Sequence, residues 1–499
     1  MTNRTVCARM CSVLLSAVCV CSPAAFAASG SWYSTNGVYR NTYWTNSWNW
    51  SAQPYPSGNQ IATFNNSVNT TNTTINIDGL PIISNIVFDT SSVAAYTIGS
   101  NGVGQQTLVL TNAGVVQLTF SAQSGQRFDA ALQLGHDRSA SSHTIRNDSP
   151  LNWLTFAGGV GASTSGASGG TKTLTLAGIG GVLLSGGLTT NGYSALTLSD
   201  TTLGTMVLAG NNRVNTLTLG GGPAVVSGTN RFDTVNVNVK GPVAFAGSNT
   251  TATINFNGAN GNVVNITSGQ FVFENGGGQT FYATQDAVVN GPGAVVLPSG
   301  PTNNVTGDNY CAQGKTLTIN ASLVGPAGLE LWGGTGTFVL NGVNTFGGNI
   351  AIGPACTLVA LRFGNRGSLT SSLGAGTNVT FNANGSRLVY TGSGDTCDRS
   401  FIFAANPVIE QAGSGYLTLT ASPTVSSGAK VLVLQGSTAA AAEFGSSLRN
   451  DSGTLALVKA GTGTWVLSTN NTYSGSTTVS NGVLAVLGAN GAIAASTGY

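Results

Sequence analysis

The sequence predicts an all-β chain wound as a right-handed parallel β-helix, a β-solenoid with coils of about 20 residues. Three observations point there. The first is composition. Charged residues make up 7% of the chain, against about 25% in ordinary globular domains. Glycine supplies 70 of 499 residues, roughly twice its usual share. Thr, Asn, Ser, Ala, Val and Leu dominate the rest. Such a mixture suits many short strands joined by tight Gly/Asn corners. The second observation is alternation. Thr173-Leu174-Thr175-Leu176, Ala195-Leu196-Thr197-Leu198, Thr216-Leu217-Thr218-Leu219, Thr234-Val235-Asn236-Val237 and Thr253-Ile254-Asn255-Phe256 each alternate small or polar with large apolar residues. Their first large residues (Leu174, Leu196, Leu217, Val235, Ile254) are 22, 21, 18 and 19 apart. The third is a turn signal at the same period: Gly210-Asn211-Asn212, Gly228-Thr229-Asn230 and Gly247-Ser248-Asn249.

Geometry then sets the dimensions. A coil advances about 4.8 Å along the axis, so fifteen to twenty coils beyond about residue 100 make a rod on the order of 70–95 Å long. Inward Leu, Val, Ile and Phe are expected to stack in columns. Outward Thr and Asn are expected to cover the faces. Asn should lie above Asn at the recurring corner, where amides can hydrogen-bond up the ladder and glycine supplies positive φ.

The N-terminus reads as an export signal. Arg4 and Arg9 precede an apolar stretch, Cys11 to Val20, that is too short to span a bilayer, and Ala25-Phe26-Ala27 has the small-x-small form of a cleavage site. Cleavage is expected after Ala27. The short apolar run argues against an uncleaved anchor, and the residues before Cys19 and Cys21 fit a lipoprotein box poorly. Without Arg4 and Arg9 the 18 basic residues fall to 16, equal to the 16 acidic ones. A near-neutral mature chain offers no basic stripe for nucleic acid and no polybasic membrane patch. It favours self-association. No other stretch approaches transmembrane length. Nor does the C-terminal part alternate like a membrane barrel, so no translocator is expected in it. The sequence stops at Tyr499, a few residues into what reads as another strand unit, so either the chain is a fragment or its last rung is uncapped.

The densest motif lies near the end. Lys459-Ala460-Gly461-Thr462-Gly463-Thr464-Trp465-Val466-Leu467-Ser468 is followed by Asn471-Thr472-Tyr473-Ser474-Gly475-Ser476-Thr477-Thr478-Val479 and by Asn481-Gly482-Val483-Leu484. It reads as three short strands with Val466, Val479 and Leu484 placed to bury one face of each. The segment resembles the autotransporter-associated β-strand repeat of large bacterial secreted and surface proteins. Its signature positions here are Gly461, Gly463, Trp465, Leu467, Asn471, Tyr473, Gly475, Thr477, Val479, Gly482 and Leu484. A second copy runs from Gly336 through Phe346 to Ile350 at a constant offset of 127. It degenerates after Ile352, where Pro354 stands for the expected Asn and one residue is inserted before Leu358. Segments around Ser386–Gly392 and Lys430–Thr438 resemble what precedes the repeat in that family. The resemblance implies export and architecture, not a reaction. The organisation expected is a signal peptide at 1–27, a Trp-rich N-terminal cap with the first strands at 28–100, a solenoid of degenerate repeats at 101–445 and the repeat unit at 446–499.

Trp44, Trp48-Asn49-Trp50-Ser51, Pro56-Ser57-Gly58 and Ala62-Thr63-Phe64 resemble the start of the same family's passenger regions. Asn59-Gln60 replaces the usual Asp, which leaves a calcium reading unsupported. Trp44, Trp48 and Trp50 have two readings: an aromatic platform for glycan, or a hydrophobic cap on the open end of the solenoid, as solenoid ends require.

Signs of catalytic chemistry are sparse. Gly166-Ala167-Ser168-Gly169-Gly170 matches G-x-S-x-G, but a Gly/Ser loop precedes it where a nucleophile elbow needs a strand. Gly314-Lys315-Thr316 lacks the upstream glycine of a phosphate loop, where Asn309 stands instead. His136 and His143, with Asp137 and Asp148 nearby, are too few for a metal site and read as a solvated loop. Cys311, Cys356 and Cys397 match no metal spacing and read as small apolar residues in strands or turns. Asp395 and Asp398 read as turn and cap residues, with Arg399 offsetting their charge. No catalytic residue, cofactor or metal ligand is assigned. The function expected is a secreted or cell-surface structural or adhesive rod, with an extracellular glycan or another copy as partner. The competing readings are a carbohydrate-binding surface protein and a polysaccharide-acting β-helix enzyme.

Overall fold

The computed structural model describes residues 29–33, 41–65, 73–162, 169–190, 194–239, 241–258, 261–274, 280–298, 309–487 and 493. The proposed signal peptide and most of the G-x-S-x-G match lie outside them. The described residues form 47 strands and one short 3-10 helix, Ser47–Asn49. No described helix is long and apolar enough to cross a membrane.

The strands stack coil upon coil, and every strand ladder is parallel. One ladder of 18 strands runs from Thr74–Ile75 to Thr477–Val479. At the usual spacing that is a rod of about 80 Å. A 19-stranded sheet holds the other two faces of the N-terminal coils. These faces join because long strands such as Thr107–Leu118, Asn211–Leu219 and Thr229–Val237 run through the corner between them. Two five-stranded sheets take over in the C-terminal coils, starting at Leu329–Leu331 and Ser393–Cys397. Pairing continues across the expected boundaries: Ile86 lies beside Val116, and Leu432 beside Leu457.

Alternation sets the core. In Leu196–Asp200 and Thr316–Ile319 every second side chain is buried. Stacking turns these positions into columns, such as His143, Leu174, Leu198, Leu217, Val235, Ile254 and Phe281. This register corrects the alignment expected from sequence. Leu174 lies beside Leu198, not Leu196, and Leu217 lies beside Leu198. Leu196 instead lies beside Lys172, a buried cation in an apolar position. The short coil expected from sequence holds from Leu198 to Ile254. Elsewhere coils are longer, as where Val116 lies beside Ile145 and His143 beside Leu174. The added length lies in the turns, because the strands must keep their register.

The Asn ladder forms as expected. Asn212, Asn230 and Asn249 are buried in successive coils. Asn212 Nδ2 donates to Asn230 Oδ1 at 2.6 Å, and Asn230 Nδ2 to Asn249 Oδ1 at 2.7 Å. The ladder reaches the backbone at its lower end, where Leu188 N–H donates to Asn212 Oδ1 at 2.8 Å. Gly228, beside it, has φ +91°, and a Cβ there would lie 2.1 Å from the Gly210 carbonyl oxygen. The corner therefore admits only glycine.

Replacing Asn230 with Ala removes both rungs and leaves buried amides of Asn212 and Asn249 short of a partner. We expect a loss of about 2 kcal/mol, and a larger loss for Gly228→Ala. Hydrogen exchange over residues 205–250 checks both, because a long repeat array does not unfold as one unit.

Candidate functional site

The N-terminal tryptophans divide. Trp32 and Trp44 are fully buried and Trp50 is 2% exposed, whereas Trp48 is 58% exposed. Trp44 and Trp50 meet edge to face at 4.9 Å, and Trp32 and Trp50 at 5.0 Å. Both Trp32 and Trp50 pack on Phe64, from which Phe88, Phe128 and Phe156 continue the aromatic column into the coils. Trp50 Nε1 donates to the Trp44 carbonyl at 2.8 Å. The faces of Trp44 and Trp50 that a sugar would need are covered by protein, so these three indoles form no shared platform. Of the four N-terminal tryptophans, only Trp48, on the 3-10 turn, presents its ring to solvent.

The terminal motif is built for stacking. Trp465 is buried on Phe444 and donates through Nε1 to the Gln435 carbonyl at 2.9 Å. Asn471 is buried, and its Oδ1 accepts the Leu448 N–H of the coil below at 2.9 Å. Tyr473 is buried, with its hydroxyl 2.6 Å from Thr477 Oγ1. Leu467 is buried, and Leu484 lies beside Trp465. Gly461, Gly463, Gly475 and Gly482 sit where a Cβ would lie 2.4–3.1 Å from a carbonyl oxygen of a neighbouring coil. Val479 differs from expectation. It is 50% exposed, because it lies on the outermost described rung of its ladder. Sequence reasoning assigns no role to Lys459. Its buried ammonium donates to the carbonyls of Ala460 at 2.8 Å, Gly461 at 2.7 Å and Asn481 at 3.1 Å, clamping one coil to the next.

The upstream copy of the motif repeats this geometry. Phe338 lies beside Leu358 as Trp465 lies beside Leu484. Asn344 Oδ1 accepts the Leu323 N–H at 2.8 Å, as Asn471 does with Leu448. The inserted residue is absorbed in the turn before Thr357, where Ala355 adopts φ +52°.

The Passenger-associated-transport-repeat family matches residues 457–486, the segment just described. The chain carries an autotransporter-associated repeat. It is 31% identical over 219 residues to the adhesin BmaC autotransporter of Brucella suis biovar 1 (strain 1330). That similarity spans 41% of this chain and 6% of the length of the adhesin. No solved structure matches. Apart from Val479, the repeat's signature residues are thus accounted for by packing, corner geometry and side-chain hydrogen bonds.

The other candidates bind their own backbone. Asp395 Oδ2 accepts the Gly364 N–H at 2.9 Å, and Asp398 Oδ1 accepts the Arg366 N–H at 2.7 Å. Arg399 faces the charge of both carboxylates, as expected, but the direct ion pair is made by another arginine. Arg366 pairs with Asp398 at 3.1 Å. The Arg399 guanidinium is buried and donates to the carbonyls of Phe363, Gly364, Asn365, Gly374 and Gly376. Together these three side chains staple the 361–376 loop to the rod. Lys315 follows a tight turn and Asn309 sits buried in a bridge, in no phosphate-loop arrangement. Cys311, Cys356 and Cys397 are buried free thiols, and burial pushes the first two up to about 11 and the third to about 12. Among the described residues no cluster of His, Cys, Asp and Glu could hold a metal ion.

The histidines part company as well. His136 is in an exposed loop, 3.8 Å from Asp137. His143 is no loop residue. It is buried in the strand Ser141–Asn147, with Nε2 2.8 Å from Ser141 Oγ. Burial, with the nearby Lys172 charge, lowers it to about 4. The next coils bury Lys172, whose Nζ donates to the carbonyls of Asp137 and Ser139 at 3.0 and 2.6 Å, and then Asp200. Burial raises Asp200 to about 7, against one backbone hydrogen bond from Thr202.

These two groups act on stability in opposite directions. The unfolded chain protonates His143 below about 6.5 while the folded chain resists until about 4, so acidification through that window costs up to about 3 kcal/mol. The unfolded chain ionises Asp200 above 3.8 while the folded chain resists until about 7, so raising pH through that window costs about 4 kcal/mol. Asp200→Asn should therefore flatten the neutral-side loss, and His143→Gln the acid-side loss. Urea midpoints of this region at pH 4, 6 and 8 read both slopes.

Proposed function

We infer that this chain is a passenger-type rod, secreted or displayed at the cell surface, with a structural or adhesive role. The observation that carries it is continuity. One parallel stack runs from the tryptophan cluster to the transport-associated repeat, with no break in its 18-strand ladder. The adhesin autotransporter similarity supports the same reading. So does the deployment of polar side chains. Asn236 and Asn255, and Asn265, Asn290, Asn320 and Asn341, hydrogen-bond up the outer faces in ladders. Faces satisfied in this way serve length and resistance to cleavage better than turnover. The candidate carboxylates Asp395 and Asp398 hold a loop in place, and no observation favours the polysaccharide-acting reading.

The test is export and attachment in the native host. We expect a mature chain beginning at Ala28 by N-terminal sequencing. We also expect antibody access on intact cells or recovery from the medium. Deleting the gene should reduce attachment to host cells or cell–cell aggregation several-fold. Retention inside the cell, or unchanged attachment and aggregation after deletion, would overturn the reading.

A further inference from the structure

Two stacked turns beside the tryptophan cluster frame an open cleft of about 550 Å³. One turn follows the strand Thr74–Ile75, and the other follows Thr97–Ile98. Tyr43 stands at its side, 44% exposed. Its backbone is fixed: Tyr43 bridges Asn76, its N–H donates to Asn41 Oδ1 at 2.9 Å, and its carbonyl accepts from Asn49 Nδ2 at 2.8 Å. The lining includes Gln106, whose Nε2 donates to Asn76 Oδ1 at 2.6 Å and whose Oε1 accepts the Ser100 N–H at 2.7 Å. Leu80, 60% exposed, separates this cleft from a second of about 450 Å³ lined by Tyr55, Asn59 and His136.

What marks the place is unused polarity gathered in one cleft beside an exposed aromatic ring. On several strand faces the outer carboxamides are spent on each other in ladders. Here, among the described residues, the Tyr43 hydroxyl, the Gln105 carboxamide and Asn101 Nδ2 have no protein partner, and all three residues line the cleft. Its carboxylate, Asp78, is already held by the N–H and hydroxyl of Thr45. The free groups are thus neutral, able to donate and to accept, and set beside an exposed phenol ring. Sugar hydroxyls need both donors and acceptors, and the apolar face of a pyranose packs on an aromatic ring. A cleft of this size suits a small ligand. An extended peptide would look for a free strand edge, and Tyr43 occupies the one at Asn76.

We propose that this paired cleft binds a neutral oligosaccharide, with one sugar against Tyr43, Asn101 and Gln105 and the chain passing over Leu80 toward Tyr55. The site deepens the adhesive reading by naming its ligand class, and it differs from a tryptophan platform because Trp48 takes no part.

The test is calorimetric titration of the full chain with chitohexaose, cellohexaose, maltohexaose and α-mannohexaose. Saturable binding of at least one is expected. Gln105→Ala and Tyr43→Ala should each weaken it roughly tenfold or more, Tyr43→Phe by less, and Trp48→Ala not at all. Gln105 lies in an exposed turn, so its variant remains informative if Tyr43→Ala fails to fold. The proposal falls if none of the four binds. It also falls if binding ignores both substitutions or is lost only with Trp48→Ala, or if a random-peptide library yields Gln105-dependent ligands while the sugars do not bind. Gln105-dependent sugar binding by the purified chain, together with attachment unchanged by gene deletion, would leave this site standing and remove the adhesive role.

Discussion

Each coil in this rod leaves its backbone N–H and C=O groups pointing along the axis, and only an in-register parallel neighbour can satisfy them. Side chains alternate with period two, so a slip of one residue would turn every inward side chain outward. Register therefore governs the inward columns, the outer amide ladders and the stacked corners together. It also explains why glycine recurs at the corner of Gly210, Gly228 and Gly247. Each sits under the carbonyl of its neighbour, with no space for a Cβ.

The same constraint shapes how the few charges are used. A stack of carbonyl-lined turns is a ready acceptor set for a buried cation. Lys172, Lys459 and Arg399 donate to two, three and five backbone carbonyls respectively. Burying an unpaired charge is costly, and these contacts offset much of that cost while tying turns of adjacent coils together. Asp200 has one backbone donor and one orphaned oxygen. His143 likewise keeps an orphaned Nδ1. With Lys172 between them, three consecutive coils each carry an ionisable inward side chain, which concentrates the pH sensitivity of the rod in one short stretch.

Much of this is legible in the sequence wherever coils lack insertions. The alternating runs from Leu217 to Ile254 carry the correct register, and the Gly-x-Asn spacing locates the corner ladder unaided. The Lys-to-Leu motif likewise marks its own strands. Legibility fails where turns lengthen. Leu196 aligns out of step because its coil neighbour opens with a buried lysine, and an apolar-first rule passes over such a residue. His143 reads with the loop of His136, although Ile145 and Asn147 continue its burial pattern. The tryptophans show a different limit. Spacing alone does not separate a ring facing a sugar from one facing Phe64, and only three-dimensional packing separates Trp48 from Trp44 and Trp50.

These considerations determine where recognition can reside. Where outward strand amides bond to the coils above and below, as from Asn265 through Asn290 and Asn320 to Asn341, a ligand must break a ladder to gain a contact. Turns carry no such obligation. The coil closed by Leu217 and Val235 is far shorter than the one closed by His143 and Leu174, yet strand register is kept in both. Variation accumulates in turns at little cost. Binding specificity in such a rod is therefore expected where long turns stack beside a rigid feature. The tryptophan-anchored segment supplies that feature by fixing Tyr43 against the turn at Asn76, while the turn from Ser100 to Gln106 leaves the Gln105 carboxamide and Asn101 Nδ2 open to the cleft. Recognition placed at the turns leaves the strands to provide length, and the two roles can change independently.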